Sequence, residues 1–212
     1  MPPITTLAIF AAATLALLLV PGPAVVYIVT RSVAQGRTAG LVSVAGIHAG
    51  SVVHVAAAAL GISALLAASA TAFALVKYLG AAYLVYLGLR KLFSRTGDLA
   101  KQVAPVSRPR LFGEGFVVNV LNPKTAIFFL AFLPQFVDPA RGPVAGQIVV
   151  LGLIWIALGM ASDGSYALLS AALAGRLRRS VRATRRLDIA SGLVYIGLGA
   201  VAALAGDGAR ES

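Results

Sequence analysis

Apolar runs of about twenty residues follow one another along almost the whole chain, separated by short loops rich in arginine. At about 1.5 Å of rise per residue, each run crosses a hydrocarbon layer of about 30 Å as a helix. Inside lipid every backbone N–H and C=O must find its partner within the protein, so such runs fold as helices and not as open strands. Hydrophobic residues make up 59% of the 212 and charged residues 12%, with a mean hydropathy of +0.90, which leaves no room for a soluble domain between the runs. The fold class predicted is all-α, a polytopic membrane protein.

The runs predict six spans, over residues 4–30, 39–67, 71–92, 112–136, 145–174 and 187–205. The first lacks a basic leader region and continues through Tyr27 to Thr30, so it reads as a retained span and not a signal peptide. Fourteen of the 18 Lys and Arg fall in three loops, at 31–37, 90–110 and 176–186. The positive-inside rule makes those loops cytoplasmic and both termini extracytoplasmic. The net charge of +11 is therefore topological. It lies in short loops, not on an aromatic-rich surface, and implies no nucleic-acid partner. Zero cysteines exclude disulfides, thiolate metal sites and dithiol relays.

A polar connector at 94–111 divides the chain into a first repeat over 1–93 and a second over 112–206, within a single transporter domain of 1–212. Three spans per half give the halves opposite orientations. The expected architecture is two inverted three-helix repeats with broken first and fourth helices, and a binding site near mid-membrane.

The breaks come from proline. Pro21-Gly22-Pro23 interrupts the first span and Asn122-Pro123 the fourth, at similar depth from the cytoplasmic boundary. Each break strands N–H groups at the start of one half-helix and C=O groups at the end of the other. A zwitterion suits that pair: its carboxylate at the helix starting at Pro23, its ammonium at the carbonyls near Leu19 and Val20.

Lys124 lies about 20 Å from either membrane edge by helical rise, beyond comfortable snorkelling, and costs about 2.5 to 3.5 kcal/mol there unless it faces a partner or a wet cavity. Asp163, at matching depth in the fifth span, is the expected partner, as a fixed ion pair or as one opened during transport. His48 and His54 are candidates for proton relay or for hydrogen-bonded packing. They sit about 240° apart around a helix, and no metal site is expected. Gly46 and Gly50, at GxxxG spacing, predict a close helix contact. Tyr83 beside Gly80 is a candidate cavity residue, and Glu114 reads as an acid favoured near a helix start. No nucleophile–base pair or metal-hydrolase motif is present, so neither an enzyme nor a cofactor is expected.

These motifs carry a resemblance. VPGPAVVYIVTRSVAQGRTAGL, YLGAAYLVYLGLRKL and FGEGFVVNVLNPKTAIFFLAFLPQFV, in this order, resemble the lysine-exporter and homoserine/threonine-exporter (LysE/RhtB) family of bacterial transporters over nearly the whole chain. The resemblance implies efflux of amino acids or close derivatives, driven by the proton gradient or membrane potential. Family motifs fall on Pro21, Gly22, Pro23, Asn119, Asn122, Pro123 and Lys124, with Asp163 at the matching acidic position. Many relatives carry an acid where this chain has Ser51, which favours a neutral substrate, homoserine- or threonine-like or branched-chain, over a basic one. The alternative is an exporter of a metal or other small cation, for which two dispersed histidines and one central acid make a poor cage. The partners expected are an amino-acid substrate, protons and the lipid bilayer, with a homodimer left open.

Overall fold

The computed structural model describes residues 2–68 and 105–174, with single positions at 78, 82, 85, 86, 89 and 196. The expected third and sixth spans but for those positions, most of the expected linker, and Tyr83 lie outside the described residues. Among the described residues there is no strand.

Helix α1 (Ile4–Leu18) stops where Pro21 and Pro23 remove two backbone donors, and α2 (Pro23–Gln35) restarts with Pro23 in its first turn, where the missing N–H costs nothing. The two meet at 55°. The second break repeats the device. Helix α4 (Arg108–Val120) ends at Leu121, and α5 (Pro123–Ile127) restarts on Pro123, running on through a π turn (Phe128–Phe132) and a 3-10 turn (Leu133–Phe136), with a bend of 46°. Helices α3 (Arg37–Ala68) and α6 (Val144–Ala172) are unbroken. Residues 37–61 of α3 and the whole of α6 are each long and apolar enough to cross a membrane, and each bent pair qualifies if counted as one span.

Close packing comes from glycine. A Cβ on Gly46 would collide with the Phe112 carbonyl, and one on Gly50 would lie 2.8 Å from the Phe116 carbonyl, so α3 and α4 meet backbone to backbone at the predicted GxxxG face. Gly115 returns the contact against the Ser43 carbonyl. On α6, Gly152 admits the Val55 side chain and Gly159 the ring of His48.

The core has two parts. One lies beyond the breaks, where Phe10, Phe128, Phe129, Phe132 and Trp155 interlock, the Phe128 and Trp155 rings 4.2 Å apart. The other, toward the ends of α2 and α6, is smaller: Ile28, Val44, Ile47 and Ala167. Helix α6 is inside-out relative to a water-soluble helix. Its buried face carries Gln147, Ser162, Asp163 and Ser170, whereas Leu153, Met160 and Leu169 are exposed. Lipid accepts that outer face, while inside Asp163 meets His48 and Gln147 the backbone of the loop before the helix.

Candidate functional site

Both breaks open onto one cavity of about 350 Å³, its mouth included. Gly22, Ala24 and Val25 contribute from the first break, and Asn122, Lys124 and Thr125 from the second. His48 and Ser51 reach it from α3, Asn119 from α4, and Trp155 and Asp163 from α6. Every polar side chain among these is at least nine-tenths buried.

The breaks differ in how their helix ends are satisfied. At the second, Asn122 caps its own helix, its Oδ1 accepting from the Lys124 N–H at 3.1 Å. At the first, the residue before the helix is Gly22, which has no side chain, and no side-chain cap is present. The first N–H groups of α2 therefore have no side-chain cap, and Gly22, Ala24 and Val25 line the cavity beside them. Three carbonyls at the end of α1 are taken by side chains. Lys124 Nζ donates to Leu17 O and Val20 O, each at 2.7 Å, and Tyr166 Oη donates to Leu19 O at 2.8 Å.

The expected partners Lys124 and Asp163 each have other partners at this site. The two charges line the same cavity, but Lys124 goes to the carbonyl end of α1 and Asp163 Oδ2 pairs with His48 Nε2 at 3.0 Å. The unpaired carbonyls at a helix end together carry about half a negative charge, which attracts the ammonium. The carbonyls near Leu19 and Val20 do receive an ammonium, as the chemistry of the break predicts, but it belongs to the protein.

A second polar chain lines one wall. Asn119 Nδ2 donates to Ser51 Oγ at 3.0 Å, and Thr125 Oγ1 donates to Asn119 Oδ1 at 3.1 Å, which fixes the amide between α3 and the second break. His54 stands apart. It does not line the cavity; its Nε2 donates to Asn119 O at 2.9 Å and its ring stacks on Phe129. Of the two histidines, only His48 joins the acid, and its Nδ1 is buried without a partner.

Among the other expected site residues, Gly22, Asn119, Asn122, Lys124 and Asp163 line the cavity, while Pro21, Pro23 and Pro123 flank it and shape the breaks. Ser51, which bears on substrate charge in the sequence, lines the cavity too, and Thr125, Trp155 and Tyr166 join the site without having been expected there. A tyrosine directly after the small polar stretch Ser162–Ser165 on α6 carries no signal of a partner on α1 in the linear chain.

Toward the loop ends of α2 and α4, Arg31 Nη2 donates to Glu114 Oε2 at 2.6 Å, and Tyr27 Oη and Arg110 Nε donate to the same carboxylate. Tyr27 Oη also donates to Leu111 O, and Gln35 exchanges two hydrogen bonds with the Val106 backbone. Glu114 is thus more than an acid near a helix start: it ties the two halves of the chain together.

The LysE type translocator family model matches residues 15–206. An uncharacterized membrane protein of Vibrio cholerae is 34% identical over 88% of this chain and 91% of its own length. The homoserine/homoserine lactone efflux protein of Salmonella typhimurium is 32% identical over 87% of this chain and 89% of its own, and the leucine efflux protein of Salmonella choleraesuis is 29% identical over 58% of each. No solved structure matches the chain.

Proposed function

The chain belongs to the family of LysE-type translocators, and from that premise we propose that it is a secondary exporter of neutral amino acids or close derivatives, coupled to the proton motive force. The observation that carries this reading is the buried cavity between the two helix breaks, lined by a cation, an acid and uncapped helix N–H groups. A site of this kind at half depth suits a solute with charges of both signs. Relatives bearing the names homoserine and leucine efflux protein point to the same class of solute, and the walls of Leu18, Val25, Ile47 and Trp155 suit a neutral side chain.

In this reading the single domain holds two inverted repeats of three spans, with basic loops in the cytoplasm of a bacterial cell and both termini outside. Alternating access presents the cavity first to one face and then to the other. Asp163, held by His48, is the carboxylate whose protonation is linked to the exposed face. Among the described residues no group of three His, Cys, Asp or Glu side chains comes together, so no observation favours the cation-export alternative.

The test is efflux from proteoliposomes loaded with a labelled amino-acid mixture, with and without an imposed pH gradient. Neutral amino acids should leave faster with the gradient. Asp163→Asn should remove the gradient-driven component while the protein still inserts and purifies. Full gradient-driven efflux in that variant rejects the coupling role.

A further inference from the structure

The ends of a bound amino acid need separate partners, and the structure removes the most obvious one. At the carbonyl end of α1, Lys124 and Tyr166 already hold Leu17, Leu19 and Val20, so a substrate ammonium meets a cation there. The acid on the cavity wall is Asp163. It is 3% exposed, its bonded partner is His48 through Oδ2, and the spare ring nitrogen of His48 is buried and unsatisfied. Buried polar atoms without partners are rare in folded proteins and mark where a ligand or water completes the set.

The anion end is equally constrained. The second break caps itself with Asn122, while the first presents Gly22, Ala24 and Val25 to the cavity with no cap. Uncapped N–H groups donate best to a carboxylate, and more weakly to a neutral carbonyl oxygen.

We propose, building on the exporter reading above, that the cavity holds its substrate in one polarity: the free amine at Asp163–His48 and the carboxyl oxygens at the uncapped start of α2. The chemical class follows. A free amine is obligatory, whereas the carboxyl group can be replaced by an ester, lactone or amide with weaker binding. Lys124 is then a fixed cation that closes the end of α1, and the selectivity for charge comes from α2 and α6.

The experiment uses the full chain, purified in detergent, with L-homoserine and L-leucine and the carboxamide and N-acetyl derivative of each. Binding is read as the ligand-induced shift in thermal unfolding, and independently as competition against the labelled parent in proteoliposomes. Each carboxamide should bind several-fold more weakly than its parent, and each N-acetyl derivative should lose more than tenfold. An N-acetyl derivative that binds as well as its parent, or better than the carboxamide, overturns the polarity while leaving the exporter reading intact. No shift with either parent or any derivative overturns both.

Gly22→Asp adds a second arm, since an acid at this position caps α2 from within and fills the proposed oxygen site. The variant should keep or raise its thermal midpoint and lose more than tenfold in affinity for the parent, with a smaller loss for the carboxamide. Wild-type affinity for the parent in Gly22→Asp overturns the proposal. Should the variant not fold, the derivative series on the unaltered chain decides the matter.

Discussion

Lys124 shows how much a single side chain depends on its neighbours. Its depth in an apolar run says only that it needs acceptors, and the acceptors turn out to be two backbone oxygens 104 and 107 residues away. Backbone carbonyls are the same for every residue type, so nothing in the identities of Leu17 or Val20 announces the contact. Lys124→Met keeps the length and the apolar stem but leaves both carbonyls without the ammonium. Each buried group stranded this way costs about 1 to 3 kcal/mol. The variant should therefore unfold at a clearly lower temperature in detergent even where no substrate is added, a loss that a residue serving substrate alone would not produce.

Helix breaks were legible because proline acts locally. Pro21, Pro23 and Pro123 end one helix and begin another whatever surrounds them, and the structure places both restarts on proline. The close approach of α3 to α4 was legible too, since Gly46 and Gly50 share a helix face. The identity of the facing helix was not, because small residues permit contact without naming the neighbour. Gly46→Ala should lower the thermal midpoint and the yield of folded protein, for its methyl group meets the Phe112 backbone, which has no rotamer to yield. Gly146→Ala is the control: nothing lies within 4 Å of its Cβ, and the change should be neutral or slightly stabilising. Asn122→Ala should cost about 0.5 to 2 kcal/mol as a lost cap, again read in thermal unfolding.

Across the whole molecule, the cavity lies between two different seals. On the far side of the breaks, Phe10, Phe128, Phe132 and Trp155 pack without a polar group among them. At the loop ends of α2 and α4 the seal is ionic: Arg31 and Tyr27 reach Glu114 across more than 80 residues of chain, and Arg110 joins them from one turn away on α4. A double-mutant cycle of Arg31→Ala and Glu114→Ala should give a coupling energy of about 0.5 to 3 kcal/mol in thermal or denaturant unfolding, and additive losses would mean the pair holds nothing together. The loop before α6 is held by Gln147, whose amide takes the carbonyls of Asp138 and Gly142 and accepts from the Asp138 N–H. A glutamine near the start of a span gives no sign of that role.

Run length and proline position were enough to predict an all-helical chain with apolar helices and its two breaks. These are properties of short segments, and hydrocarbon enforces them one segment at a time. Depth is a single coordinate, however, and it could not say which of several groups at one level would meet. Lys124 and Asp163 line one cavity, and helix rotation and lateral packing give Lys124 the end of α1 and Asp163 the ring of His48. That choice belongs to the assembled bundle, because it depends on which backbone ends are left unpaired after every helix has found its neighbours.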